Sequence, residues 1–242
     1  MPRIARVAPG GYVYHATNRG VARRALFEKD ADFEAFERVL IEAVNRTDIR
    51  LLGYCLMPNH WHFLLWPKED GELTAFLRWL TLTHTQRWHA HHHTTGSGHL
   101  YQGRFKAFPI EDDDHYLTAL RYVERNALRA GLCGRADEWR FGSLPHRLPA
   151  DAASPASLQA MRGVLSAGPV ALPADWVERV HRPETERELK AIRQSVERGQ
   201  PFGSPAWQAT TAHLLGLQTT FRPRGRPKKP KPTDTDQVLL RE

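Results

Sequence analysis

The chain has 242 residues, of which 41% are hydrophobic and 25% are charged, so it can bury a substantial core. It has no signal-peptide core and no apolar run long enough to cross a bilayer, which predicts a cytoplasmic protein with no membrane partner. Its two cysteines, Cys55 and Cys133, lack the spacing of a thiolate zinc site and indicate no disulfide framework.

The spacing of apolar residues predicts the order strand, helix, two strands, helix, strand and helix. The predicted segments are 11–17, 30–44, 51–56, 60–66, 72–89, 100–110 and 115–129. In the first strand, one set of side chains alternates with another: Val13, His15 and Thr17 against Tyr12, Tyr14 and Ala16. This order indicates an α+β fold in which an antiparallel sheet packs against helices.

The two adjacent strands form a predicted hairpin whose second strand contains two histidines. Residues 57–59, Met-Pro-Asn, have the composition of a turn. Side chains alternate along a strand, so His60, His62 and Leu64 share one face of the sheet. Two imidazoles about 7 Å apart at the backbone can converge on one divalent ion. By itself the pair fits equally well with two polar side chains on a half-exposed face.

Two further segments bear on binding. The predicted helix over 72–89 ends in a histidine-rich run, residues 89–93, which we assign to a solvated loop rather than to a metal site because Thr-Thr-Gly-Ser-Gly follows. The predicted strand over 100–110 interleaves aromatic and basic residues. Its Arg104 and Lys106 are suited to contact a nucleic-acid backbone.

The last predicted helix begins after four carboxylates, residues 111–114, which favour the positive end of a helix. Tyr122 and Asn126 are four residues apart and therefore share a helix face, on which His115 lies two turns earlier. Taken alone, Tyr122 reads more readily as an amphipathic core residue than as a reactive group.

The formal net charge of +7 is concentrated near the C-terminus, and the remaining residues sum to +1. The six cations there are Arg222, Arg224, Arg226, Lys228, Lys229 and Lys231. The prolines among them exclude a helix or a central strand. An extended Arg-Gly-Arg-Pro segment is thin enough to lie in a narrow A·T minor groove, so this tail resembles an AT-hook. Generic attraction for polyanions is the alternative, and it also favours nucleic acid.

Together these features resemble the HUH single-tyrosine, single-strand DNA transposases. The resemblance lies in the opening strand 14–20, the His-x-His segment 57–62 and the tyrosine helix 121–132. Within that family, the C-terminal stretch 175–203, from Asp-Trp through Pro-Phe-Gly, and the Arg-Gly-Arg-Pro tail are most similar to the REP-associated tyrosine transposases. Residues 126–128 are Asn-Ala-Leu where many members have Asn-Pro-Val, and alanine predicts that the helix runs on.

The resemblance implies an enzyme that nicks and rejoins single-stranded DNA at REP-like palindromic hairpins through a 5′-phosphotyrosine intermediate. It assigns Tyr122 as the nucleophile, His115 as a candidate proton acceptor, and His60, His62 and Asn126 as ligands of Mg²⁺ or Mn²⁺. The residues expected to bind DNA are Arg19, Arg104, Lys106, Arg222, Arg224, Arg226, Lys228 and Lys229. No nucleotide triphosphate is required, and the sequence has no phosphate-binding glycine loop.

The resemblance also implies a ferredoxin-like, RRM-like catalytic domain over residues 1–145, with the histidines on the sheet face under the tyrosine helix. We expect a helical extension over 146–217, a flexible AT-hook-like tail over 218–242, and a monomer or homodimer associated with the nucleoid. Two alternatives stay open at this point. One is a non-catalytic DNA-binding protein, and the other is a metal-dependent nucleic-acid hydrolase in which water replaces Tyr122 as the nucleophile.

Overall fold

The computed structural model describes residues 8–149 and 156–222. The strands are Val13–Arg19 (β1), Arg50–Met57 (β2), His60–Trp66 (β3) and Lys106–Ile110 (β4). The α-helices are Asp30–Thr47 (α1), Glu72–His91 (α2), Asp114–Glu124 (α3), Asn126–Arg129 (α4), Ala156–Val164 (α5), Trp176–His181 (α6), Glu186–Arg198 (α7) and Pro205–Leu214 (α8). Within these residues no helix is both long and apolar enough to cross a membrane.

The four strands form one antiparallel sheet in the order β2-β3-β1-β4. Because α1 connects β1 to β2 and α2 connects β3 to β4, the arrangement is the βαββαβ pattern of a ferredoxin-like fold. The hairpin register pairs Met57 with His60, so the turn falls at Pro58 and Asn59. The predicted α+β class and antiparallel sheet are therefore confirmed.

Helices α1 and α2 cover one face of the sheet. The strand β3 sends Trp61, Phe63 and Leu65 into this core, where all three are fully buried. The predicted apolar residues of α1 pack against them: Phe33, Phe36, Val39, Leu40, Ala43 and Val44. Each large side chain that is fully buried here stabilises the fold by about 1.5–3 kcal/mol.

Helix α3 covers the other face, together with the C-terminal helices. It crosses β2 at Gly53, where a Cβ atom would lie 2.4 Å from Leu120 Cδ1, so any larger residue would force the Leu120 side chain to shift. Leu64 of β3 points into this second core, on the face shared with His60 and His62. The alternation of β3 thus separates Trp61, Phe63 and Leu65 from the two histidines, as the sequence predicts.

The C-terminal segment is held to this second core by a buried carboxylate. Glu124, at the end of α3, accepts hydrogen bonds from Ser143 Oγ at 2.6 Å, Arg147 Nε at 2.7 Å and Trp176 Nε1 at 2.8 Å. The backbone N–H of Phe202 donates to the Pro109 carbonyl at 2.9 Å, which adds a further hydrogen bond beside the edge strand β4. The segment that follows residue 156 is therefore part of the surroundings of α3.

The helix expected to run from residue 115 to residue 129 is interrupted, and that expectation was wrong. It breaks at Arg125, where ψ is −2°, into α3 and the short α4. No proline causes the break. The residue before it, Glu124, is fixed by partners from distant parts of the chain, which helical periodicity does not report.

Two other boundaries differ from the prediction. Helix α2 continues through His91, and His89 is buried with Nδ1 2.8 Å from Thr94 Oγ1, so the histidine-rich run is not simply a solvated loop. The strand predicted over 100–110 begins only at Lys106, and Arg104 lies in the bend before it. His89 is held by a residue five positions later, and the segment before β4 is held by the Gln102 N–H, which donates to the Arg19 carbonyl at 2.9 Å.

A buried acid makes the fold pH-sensitive. Glu37 of α1 accepts a hydrogen bond from the Tyr54 hydroxyl at 3.0 Å, but burial dominates and raises the pKa of Glu37 to about 7. The folded state thus binds a proton that the unfolded chain releases near pH 4.5. This stabilisation is fully present below that pH and is lost as pH rises through about 7.

We expect the stability of the wild type relative to Glu37→Gln to fall by about 2–3 kcal/mol between pH 4.5 and pH 8. Urea denaturation across this range measures the difference. The matched control is Glu42→Gln, since Glu42 forms an exposed ion pair with Arg87 at 2.8 Å and its pKa is lowered rather than raised. Parallel stability curves for the wild type and Glu37→Gln would contradict the prediction.

Candidate active site

The two histidines of β3 lie side by side on the face covered by α3. Their ring centroids are 5.0 Å apart and the rings are inclined at 79°. His62 is buried, whereas His60, at the end of the strand beside the turn, is half-buried. This is the face and the proximity that alternation on the strand predicts.

Each histidine has its Nδ1 atom engaged by a neighbour. His60 Nδ1 lies 2.6 Å from Asn59 Oδ1, which can only accept, so His60 Nδ1 donates. His62 Nδ1 lies 2.8 Å from Nε2 of His15, on the adjacent strand β1. The Nε2 atom of each ring is therefore the one left for a ligand, and both histidines line an open cleft.

Both rings are neutral near physiological pH. Burial, followed by the positive charge of Arg19, lowers the pKa of His60 to about 4. Burial also holds the pKa of His62 well below its usual value, with His15 as the next cause. Since only the neutral imidazole binds a metal, the pair is in the right state to act as ligands.

Tyr122 lies beside this pair, near the end of α3. Its ring centroid is 6.1 Å from that of His62 and 6.3 Å from that of His15, and the residue is 7% exposed. The guanidinium of Arg129 lies over the ring, 4.2 Å from its centroid, and Arg129 Nη2 donates to the Tyr122 carbonyl at 2.8 Å. Tyr122 is thus packed between the histidines and an arginine.

Asn126 begins α4 just beyond the break at Arg125. It is 8% exposed, and its Nδ2 atom has no hydrogen-bond partner among the described residues. The next residue, Ala127, hydrogen-bonds through its backbone to the thiol of Cys55, which stands directly opposite His62 in the hairpin register. Asn126 therefore lies on the histidine side of the sheet, and no group in the described part of the chain satisfies its amide Nδ2 atom.

The histidines open onto a cleft of about 460 Å³. Three residues predicted to bind DNA, Arg19, Arg104 and Lys106, line this cleft together with His60 and His62. Tyr122 and Asn126 are not among its lining residues. The structure thus brings five of the predicted residues to one cleft, and Tyr122 contacts one of them, His62, without lining the cleft.

Two residues of this region are absent from the set predicted as site residues. His15 lies in the alternating first strand, where a polar side chain among apolar ones is a signal that could have been followed. Arg193 of α7 also lines the cleft, but α7 is rich in charge and its sequence does not single this residue out. Its position depends on how the C-terminal helices pack.

The remaining predicted residues are placed as follows. His115 bonds through Nδ1 to Asp113 Oδ1 at 2.8 Å and packs its ring on Phe202, so the contacts described for it do not involve Tyr122. The Arg222 carbonyl accepts from Arg198 Nη1 at 2.7 Å. The other predicted cations of the tail lie outside the described residues: Arg224, Arg226, Lys228 and Lys229.

Other groups of side chains in the described part of the chain also bring potential metal ligands together. One is Asp32 with His91 and His92, and the other is Glu111 with Asp113 and His115. Neither includes the predicted histidine pair. The second group is occupied by its own hydrogen bonds, since Glu111 accepts from Ser204 and Asp113 from His115.

The part of the chain that contains this site is similar to known proteins. Residues 10–126 match the sequence family described as "Transposase IS200 like". A solved structure of a REP-associated tyrosine transposase bound to a REP hairpin is 16% identical, with a TM-score of 0.49 over 65% of this chain and 96% of that chain. No curated protein sequence matches the chain.

Arg129 joins Tyr122 to the C-terminal segment through a buried carboxylate. Its Nη1 atom bonds to Glu184, whose side chain is 3% exposed and also pairs with Arg125 at 3.3 Å. Removing Arg129 leaves Glu184 with one weaker partner and uncovers the Tyr122 ring. We expect Arg129→Ala to destabilise the protein by about 3 kcal/mol, as measured by urea denaturation.

The matched control is Arg179→Ala, because Arg179 pairs with Asp175 at 2.8 Å while both side chains are about half exposed. That change should cost about 1 kcal/mol or less. Equal losses in the two variants would show that Glu184 is not an obligatory partner of Arg129.

Proposed function

We propose that the chain is a metal-dependent, single-strand DNA endonuclease and strand transferase that works through a 5′-phosphotyrosine intermediate. The observation that carries this proposal is the placement of Tyr122 beside His62, whose Nε2 atom, like that of His60, is left free for a ligand. This arrangement lies at a basic cleft in an IS200-like transposase domain. A non-catalytic DNA-binding protein would need neither the oriented rings nor the tyrosine.

The residues present fit a divalent cation. His60 and His62 supply neutral nitrogen atoms, and the unsatisfied amide of Asn126 can offer its oxygen if the side chain turns. Two nitrogen ligands favour Mn²⁺ over Mg²⁺ in affinity, whereas an oxygen ligand suits both ions. When bound, the cation would withdraw charge from the scissile phosphate and make its phosphorus more electrophilic.

The chemical step then belongs to Tyr122. After loss of its proton, the phenolic oxygen attacks the phosphorus and forms a new P–O bond, while the bond to the 3′ oxygen breaks. The departing 3′ oxygen takes up a proton, and the 5′ phosphate stays attached to Tyr122. Because one phosphodiester replaces another, a second 3′ hydroxyl can reverse the attack and join strands without a nucleotide triphosphate.

Attack requires movement of Tyr122. The residue is 7% exposed and does not line the cleft, so its side chain has to turn past His62 to reach a bound phosphate. For the Tyr122 side chain to turn, its ring has to leave the guanidinium of Arg129. In this proposal DNA binding supplies the energy for the change.

The cleft suits the sugar-phosphate backbone of a single strand. Arg19, Arg104 and Lys106 line the cleft together with Arg193 of α7. A strand held by these cations would pass the histidine pair. The resemblance of the stretch 175–203 and the tail to REP-associated transposases makes a REP-like palindromic hairpin, at the nucleoid, our proposed substrate.

Covalent trapping tests the nucleophile. Labelled single-stranded hairpin oligonucleotides incubated with the protein and Mn²⁺ should give a protein-DNA adduct that survives denaturing electrophoresis. Tyr122→Phe should abolish the adduct, because phenylalanine lacks the attacking oxygen. His60→Ala and His62→Ala should each reduce its rate of formation by at least about 100-fold.

The matched control is Tyr116→Phe, which removes a buried hydroxyl from the same helix and should leave the adduct intact. A gel shift without cleavage would support a DNA-binding protein instead. Cleavage without an adduct would support a hydrolase. Persistence of the adduct in Tyr122→Phe would refute the assignment of Tyr122.

We propose that the basic tail binds duplex DNA beside the hairpin. A chain ending at Arg222 keeps the hydrogen bond to Arg198 but has none of the cations Arg224, Arg226, Lys228 and Lys229. It should bind A·T-rich duplex more weakly and with a shallower salt dependence, by about 0.9 in slope for each phosphate that the tail neutralises. Fluorescence anisotropy over a range of salt concentrations measures both effects.

Nicking of single-stranded hairpins should survive this truncation, since the cleft is unaffected. A full-length chain carrying Arg224→Ala and Arg226→Ala is the control for tail length. If nicking disappears with the tail while the fold is intact, the tail belongs to the catalytic complex and not to an accessory duplex site.

A further inference from the structure

We propose that His15 is a positioning residue for the metal site. It accepts the Nδ1–H of His62 and thereby keeps the lone pair of His62 Nε2 available for the cation. This inference rests on the proposed function, because it takes His62 as a ligand. It adds the requirement that a residue outside the ligand set accepts a hydrogen bond from His62.

The geometry places His15 where it can act only through another residue. His15 is fully buried on β1, diagonally across from His62, and its Nε2 atom lies 2.8 Å from His62 Nδ1. Phe108 of β4 stacks beside its ring at 4.9 Å, and Tyr122 borders it at 6.3 Å between centroids. His15 therefore touches His62 but does not line the cleft.

A hydrogen bond between two neutral imidazoles holds one proton and has two possible directions. If His15 Nε2 donates, His62 must take its own proton on Nε2 and has no lone pair facing the cleft. If His62 Nδ1 donates, its Nε2 atom is free to bind a metal. The direction of this single bond thus decides whether His62 can be a ligand.

A cation on His62 Nε2 requires the direction in which His15 accepts, and a neutral His15 ring with its proton on Nδ1 can do so. Its burial keeps the ring neutral, because a charged imidazolium would have to give up its hydration. The second nitrogen, Nδ1, has no partner among the described residues, which costs about 1–3 kcal/mol for a buried polar atom. A leucine or phenylalanine would fill this apolar position without that cost, so packing alone does not account for a histidine.

The other proposed ligand, His60, has its Nδ1 atom fixed by a hydrogen bond of the same kind. His60 Nδ1 donates to Asn59 Oδ1 at 2.6 Å, and there the acceptor is an amide oxygen in the hairpin turn. Both histidines thus have their Nδ1 atoms fixed from outside the metal site, one by the turn and one by β1. In this proposal His15 accepts the Nδ1–H of His62, as Asn59 accepts the Nδ1–H of His60.

Two substitutions separate the hydrogen bond from packing. His15→Gln places an amide oxygen near the former Nε2 atom and can still accept from His62. His15→Phe keeps the ring volume but removes the acceptor. We expect Phe to weaken Mn²⁺ binding by about 10- to 100-fold, measured by titration calorimetry without DNA, and Gln to restore most of that affinity.

The matched control is His84→Phe. His84 is also buried and its Nδ1 atom lies 2.7 Å from the Tyr101 hydroxyl, but it belongs to the core on the opposite face of the sheet. This variant should lose stability without any change in Mn²⁺ affinity. Equal Mn²⁺ affinity in His15→Phe and the wild type would overturn the inference.

Long-range ¹H–¹⁵N correlation spectra of the metal-free wild type give a second readout that does not depend on a variant folding. They should show His62 protonated on Nδ1, and a proton on His62 Nε2 would overturn the inference. If His60→Ala and His62→Ala bind Mn²⁺ as tightly as the wild type, the proposed metal site itself fails. If they lose it while His15→Phe does not, only the role of His15 fails.

Discussion

The alternation of side chains along β3 is the constraint on which the rest of the molecule depends. One strand sends Trp61, Phe63 and Leu65 into the core under α1 and α2, and sends its two histidines to the opposite face. A slip of one residue would bury the histidines under α1 and move Trp61, Phe63 and Leu65 to the face under α3. The large apolar set therefore fixes the register of the strand, and the placement of the histidine-bearing face follows from it.

The segments that cover the histidine-bearing face are held by buried charged groups as well as by apolar contacts. Glu124 anchors α3 to Trp176 and Arg147, while Glu184 draws Arg129 across the Tyr122 ring. Buried ion pairs contribute little net stability but are costly to break. Their main effect here is to fix the positions of the side chains around Tyr122. The surroundings of Tyr122 are in this way built partly by residues that lie about sixty positions later in the chain.

The sequence predicts what depends on local periodicity. The hairpin, the faces of β3 and the apolar stripe of α1 follow from spacings of two and of three to four residues. The break at Arg125 and the approach of Arg193 to the cleft do not, because each depends on residues distant in sequence. Tyr122 and Asn126 could be chosen as site residues, but only the packed structure shows that they do not line the cleft.

When two histidines on a strand are separated by one residue, the strand fixes the face on which both side chains lie. It does not fix the orientation of their rings. Alternation puts both imidazoles on one face, yet each ring can rotate about two side-chain bonds and can hold its proton on either nitrogen. Those remaining freedoms have to be removed by groups that the strand itself does not contain. In this protein the turn and the neighbouring strand provide such groups, because Asn59 Oδ1 lies 2.6 Å from His60 Nδ1 and His15 Nε2 lies 2.8 Å from His62 Nδ1. In the proposed metal site, the sheet that carries the two histidines would thus also determine which nitrogen atom each of them presents.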